Sequence, residues 1–120
     1  MNIASTVLIA SVALLHVFFL VLEMFLYTKP FGRKVFRVSL EKANDSKVLA
    51  ANQGLYNGFL AAGLIWSVIS SDGAAGKSLA IFFLTCVIVA ALYGAYSVNK
   101  RIFFIQGLPA VLALMSLFFL

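Results

Sequence analysis

Four apolar stretches, 3–28, 46–70, 77–98 and 102–120, take up most of this chain, and only the segment between the first two is strongly polar. A run of about 20 apolar residues is the length that crosses a bilayer. In hydrocarbon such a run has to be helical, because each backbone N–H and C=O must find its partner within the segment. Polar residues elsewhere are too few to coat these stretches in water. Of 120 residues, 63% are hydrophobic and 11% charged, against about 45–50% and 25% in soluble domains. The expectation is an all-α integral membrane protein, a single transmembrane domain spanning 1–120.

The charges orient it. Six of the nine basic residues, Lys29, Arg33, Lys34, Arg37, Lys42 and Lys47, fall in the stretch 29–47 around the first connection. Lys100 and Arg101 lie between the third and fourth spans, and Lys77 alone lies at the second connection. Basic residues collect on the cytoplasmic side. The first and third connections are therefore read as cytoplasmic and both termini as non-cytoplasmic. Short connections between consecutive spans favour an antiparallel four-transmembrane-helix bundle. No basic residue precedes Lys29, so the basic start of a secretory signal is missing and the first span is read as a retained helix.

The same placement decides what the net charge of +5 means. The basic stretch 29–47, with Pro30 and Gly32 breaking the helix just past the membrane, is read as a cytoplasmic loop (29–45) on anionic lipid headgroups. A nucleic-acid role is set aside. The single Cys86 excludes an intrachain disulfide and a CxxC redox pair. One histidine and one intramembrane acid do not make a zinc or iron site, which needs several convergent ligands. No cofactor motif is present.

The candidate site begins on the second span, at Asn52-Gln53-Gly54-Leu55-Tyr56-Asn57-Gly58-Phe59. Asn52, Gln53, Tyr56 and Asn57 cover one arc about 140° wide, with Gly54 and Gly58 on the adjoining arc. Gly54 and Gly58 make a close-packing seam, within one chain or in a homodimer. On the first span His16 and Glu23 lie on nearly one line, about 10 Å apart along the axis. An acid in a span is costly near a helix centre, about 3 kcal/mol. Glu23 is read as facing the bundle, either as a proton-carrying or ligand-binding carboxylate or as an ion-pair partner of Lys29 or Arg33. Tyr93 on the third span and Gln106 on the fourth fall at the same depth in this topology. Pro109 removes a backbone donor beside Gln106 and frees the carbonyl near residue 105. The expected ligand-binding set is Glu23, Asn52, Gln53, Tyr56, Asn57, Tyr93, Gln106 and His16, around a pocket open toward the cytoplasm.

The stretches Glu23-Met24-Phe25-Leu26-Tyr27-Thr28-Lys29-Pro30 and Asn52-Gln53-Gly54-Leu55-Tyr56-Asn57-Gly58-Phe59-Leu60-Ala61-Ala62-Gly63-Leu64 resemble the signature of small bacterial membrane proteins grouped as domain of unknown function 1304. Tyr93-Gly94-Ala95 and Gln106-Gly107-Leu108-Pro109-Ala110 resemble it too, so the likeness spans essentially the whole chain. In that family an aromatic residue, often tryptophan, precedes Thr-Lys-Pro, and Tyr27 fills the position here. The resemblance implies a four-helix protein of the bacterial inner membrane and carries no established activity.

Three functions fit the residues. One is binding or transport of a small polar or amphipathic ligand, with Glu23 as a proton carrier and a homodimer supplying the pore that four helices alone make small. A second is an intramembrane enzyme, with Glu23 and His16 doing isomerase-like acid–base chemistry on a lipid-soluble substrate. The third is a structural accessory subunit. Interhelical hydrogen bonds in membranes average about 0.6 kcal/mol, so packing alone does not call for this many amides.

Overall fold

The computed structural model describes residues 1–120 and is built from helices alone. α1 runs Ile3–Met24, α2 Pro30–Phe36, α3 Leu40–Ile69, α4 Ala74–Ser97 and α5 Leu108–Phe119. A π-helical turn, Phe103–Gly107, leads into α5. α1 and α4 are long and apolar enough to cross a membrane.

The boundaries follow from prolines and caps. α1 stops at Met24, short of the expected 28. The Leu26 N–H reaches the Val21 carbonyl at 3.1 Å and the Lys29 N–H reaches Leu26 at 3.0 Å, closing a wide turn. Lys29 is extended (φ −84°, ψ 159°) because it precedes Pro30, whose ring disfavours helical backbone there. Pro30 then starts α2, where its missing N–H costs nothing. The segment expected as a loop is thus partly helical. α2 ends at Arg37, which turns left-handed (φ 56°) with its N–H on the Arg33 carbonyl. Ser39 accepts the Lys42 N–H at 3.2 Å, an N-cap that starts α3 at Leu40 rather than 46.

The expected fourth helix is divided. Pro109 has no N–H for the carbonyl four residues back, and its ring crowds that carbonyl. The chain widens into the π turn just before it, with the Leu108 N–H on the Phe103 carbonyl. A wide turn beside proline is a usual way to relieve that conflict.

The chain forms two compact units, 1–15 with 60–120, and 16–59. The first has an apolar core of Ile9, Val12, Ala13, Leu64, Ala80, Leu84, Val87, Ala110 and Ala113. Four alanines in that set let helices approach closely, as small residues do between membrane helices. Gly107 makes the same allowance in the π turn: a Cβ there would lie 2.9 Å from the Ala91 Cβ. Buried polar groups in this unit are serines. Ser116 lies 2.9 Å from Ser5 and 2.6 Å from the Ala113 carbonyl, and Ser67 bonds the Leu64 carbonyl at 2.7 Å. The second unit buries Leu22, Gly32, Ala43, Gly54 and two polar residues, His16 and Asn57.

Candidate functional site

The site lies in the unit formed by residues 16–59. α1 and α3 meet there along Gly54 and Gly58. A Cβ on Gly54 would stand 2.7 Å from Met24 Cγ, 3.1 Å from Glu23 Cβ and 3.2 Å from the Leu20 carbonyl. One on Gly58 would stand 2.7 Å from Leu20 Cδ1. The glycine seam is therefore occupied by the chain's own first helix. Asn57 follows Gly54 by three residues and shares its face. The close approach carries the Asn57 amide to Glu23, where Nδ2 donates to Oε1 at 2.5 Å. Asn57 is 5% exposed and Glu23 half-buried. An amide donor is the neutral way to partner a half-buried carboxyl group, and a hydrogen bond to a charged group is worth about 1.5–3 kcal/mol. Arg33 donates instead to the Thr28 carbonyl at 3.2 Å, so the ion-pair reading of Glu23 gives way to an amide pair.

Beside this pair is a partly open hollow of about 370 Å³. Glu23, Tyr27, Thr28, Asn52 and Lys47 give it polar groups, while Met24, Phe25, Val48 and Ala51 give it apolar walls. Tyr27 is held by a relay of hydroxyls. Ser46 donates to the Lys42 carbonyl at 2.7 Å, and the Tyr27 hydroxyl stands 2.9 Å from Ser46 Oγ. With the serine proton committed to the carbonyl, the tyrosine donates to the serine and keeps its own oxygen as an acceptor. The Tyr27 ring also packs against Phe36 of α2, centroids 5.4 Å apart.

The structure divides the residues expected to bind. Glu23 and Asn57 are bonded, and Asn52 joins Glu23 in the hollow lining. Gln53 and Tyr56 are exposed on α3 and do not line it; Tyr56, 58% exposed, packs its ring at 5.9 Å from Phe59. His16 is fully buried with its ring edge-on to Phe19 at 5.4 Å, and is likewise absent from the lining. Tyr93 and Gln106 belong to the other unit, where Tyr93 is 69% exposed and Gln106 sits half-buried in the π turn.

Residues 10–118, which carry both the Glu23–Asn57 pair and the π turn, match the family described as protein of unknown function, DUF1304. The chain belongs to that family. The uncharacterized protein YpaA of Lactococcus lactis subsp. lactis (strain IL1403) is 36% identical over 121 residues, covering 99% of this chain and all of the relative. No solved structure matches.

Three features at the DUF1304 chain's hollow are not marked by the sequence alone: Tyr27 with its Ser46 partner, Thr28, and Lys47. Tyr27 does fall on the helical line through His16 and Glu23, which was the available signal. Lys47 looked like one more headgroup lysine. Ser46 carried no signal, because its role depends on how α3 begins.

Proposed function

We propose that this chain is a binding protein of the bacterial inner membrane, taking a small polar or amphipathic molecule into the hollow at Glu23 from the cytoplasmic side. The observation that carries the reading is a half-buried carboxyl group, bonded to a single amide, lining a hollow with both polar and apolar walls. A ligand cavity of about 300 Å³ or more with a few converging polar groups is the usual form of a small-molecule site.

Several features support the membrane setting. α1 and α4 leave most of their apolar length uncovered, which favours a membrane over the enclosed core of a soluble domain. Exposed apolar side chains on α4 include Phe82, Val89 and Leu92. α3 is about 45 Å long, enough to cross even though its amides dilute its apolarity. The π turn and α5 form a continuous apolar stretch, Phe103–Phe119, about 26 Å long and near the thickness of the hydrocarbon core. In this reading the four spans are antiparallel with both termini outside. The basic residues of α2, Arg33 and Lys34, contact anionic headgroups while the exposed Phe31 and Val35 dip inward.

Native mass spectrometry of the protein extracted from its membrane tests the binding role. The parent is expected to retain a non-protein mass that Asn52→Leu, which fills the hollow, releases. Equal retention by both, or none by the parent, would count against it. If the bound molecule moves with a proton, proteoliposome flux driven by a pH gradient is lost in Glu23→Gln.

A further inference from the structure

The hollow's own groups define the charge pattern of what it takes. Glu23 Oε1 is committed to Asn57, and its second oxygen takes no hydrogen bond from the protein. The Tyr27 hydroxyl donates to Ser46, which leaves its oxygen to accept. With Glu23 ionised, the lining offers two acceptors for a ligand, a requirement that an ammonium group with several N–H donors meets. Lys47 and Asn52 lie on α3 about 7.5 Å apart along the axis and about 140° apart around it, and both line the same hollow. They bring donors, and an ammonium carries a full positive charge.

Either charge alone makes a poor ligand. A simple cation on Glu23 would share the hollow with the Lys47 ammonium, and a simple anion on Lys47 would share it with the Glu23 carboxylate. Like charges brought together in a site of reduced dielectric are mutually unfavourable. A molecule carrying both charges meets each with its opposite and adds no net charge.

We infer that the hollow is a zwitterion site: the ligand's ammonium lies on Glu23 and Tyr27, and its adjoining phosphate or carboxylate lies on Lys47 and Asn52. This rests on the binding role proposed above. Two sources carry that chemistry, the headgroup of an ethanolamine phospholipid and a free zwitterion such as phosphoethanolamine. The apolar walls at Met24 and Val48 favour the lipid.

The full chain in dodecyl maltoside micelles, with the side-chain amides of Asn52 and Asn57 followed by NMR, tests the inference. The non-ionic detergent carries neither charge and does not compete for the hollow. The probes are dihexanoyl phosphatidylethanolamine, dihexanoyl phosphatidylglycerol (anion alone), hexylamine (cation alone) and free phosphoethanolamine. Phosphatidylethanolamine is expected to bind about tenfold more tightly than either single-charge probe, a difference easily read from the titrations. Lys47→Ala, at an exposed position, should reduce it to the affinity of hexylamine. Glu23→Gln, with its helix content checked by circular dichroism, should reduce it to that of phosphatidylglycerol. Free phosphoethanolamine binding as tightly as the lipid assigns the site to a solute, and weaker binding assigns it to the lipid; both support the zwitterion. Hexylamine or phosphatidylglycerol binding as tightly as phosphatidylethanolamine overturns the zwitterion while leaving a binding site. If none of the four probes shifts either amide, the inference falls together with the binding role.

Discussion

The two units of this chain bury polar groups in different ways. In the unit of residues 1–15 and 60–120, the buried polar side chains Ser5, Ser67 and Ser116 are short hydroxyls, bonded to each other or to carbonyls of their own helix. Around them is a continuous core of aliphatic side chains and alanine. A serine that bonds its own backbone asks little of its neighbours, and such a core tolerates it anywhere. In the unit of residues 16–59 the buried amide of Asn57 has its partner on another helix, and the partner is an acid. Its apolar interior is small, and its turns are closed by glycine, proline and a left-handed arginine. One unit packs, and the other positions groups. Positioning is the costlier task and is what a binding site needs.

Substitutions can break or sharpen that contrast. The largest effect is expected at Gly32, whose Cβ would collide with the Leu26 backbone carbonyl. Gly32→Ala should cost about 3 kcal/mol or more, because a backbone atom cannot yield as a side chain does; SDS-induced unfolding followed by circular dichroism would read it. A neutral result would mean that α2 does not hold the turn after α1. Next comes Gly54→Val, which pushes α3 away from Glu23 and the Leu20 carbonyl. About 2 kcal/mol is expected, along with a shifted Asn57 side-chain amide resonance in a nitrogen-15 spectrum. An unmoved resonance would show that the seam does not set the pair. Asn57→Leu removes the donor from Glu23 and should destabilise by about 1–3 kcal/mol. The smallest effect belongs to the other unit: Ser116→Ala should cost about 0.6 kcal/mol in the same unfolding assay. If Ser116→Ala proved as damaging as Asn57→Leu, the distinction between the two units would be lost.

Much of the fold could be read before the structure. Apolar length located the helices, since hydropathy is a local property. Their ends were less legible: Ser39 caps α3, and the turn 25–29 closes α1, through hydrogen bonds that depend on side-chain placement. Pro109 gave away the break in the last helix without saying that a π turn would resolve it. At the site, Glu23, Asn52 and Asn57 stood out as polar residues in apolar runs. Gln53 and Tyr56 stood out equally, yet they do not line the hollow. A 140° arc is wider than one helix contact can cover, and only the strip shared with Gly54 and Gly58 meets α1. His16 shares its helical phase with Glu23, but phase alone does not tell which neighbour a ring will meet.

Sequence by itself therefore determined the class of object: long apolar stretches that have to be helical, basic residues gathered between the first and second of them, and amides within one of these helices. These follow from composition and helical period, which act over a few residues at a time. Tertiary structure decided that Asn57, among four polar neighbours, reaches Glu23. It also decided that the Tyr27 hydroxyl meets Ser46, and that Lys47 joins Tyr27 and Glu23 at a hollow. Each of those depends on how closely two helices approach, and that distance is set by whether a glycine on one meets a side chain on the other.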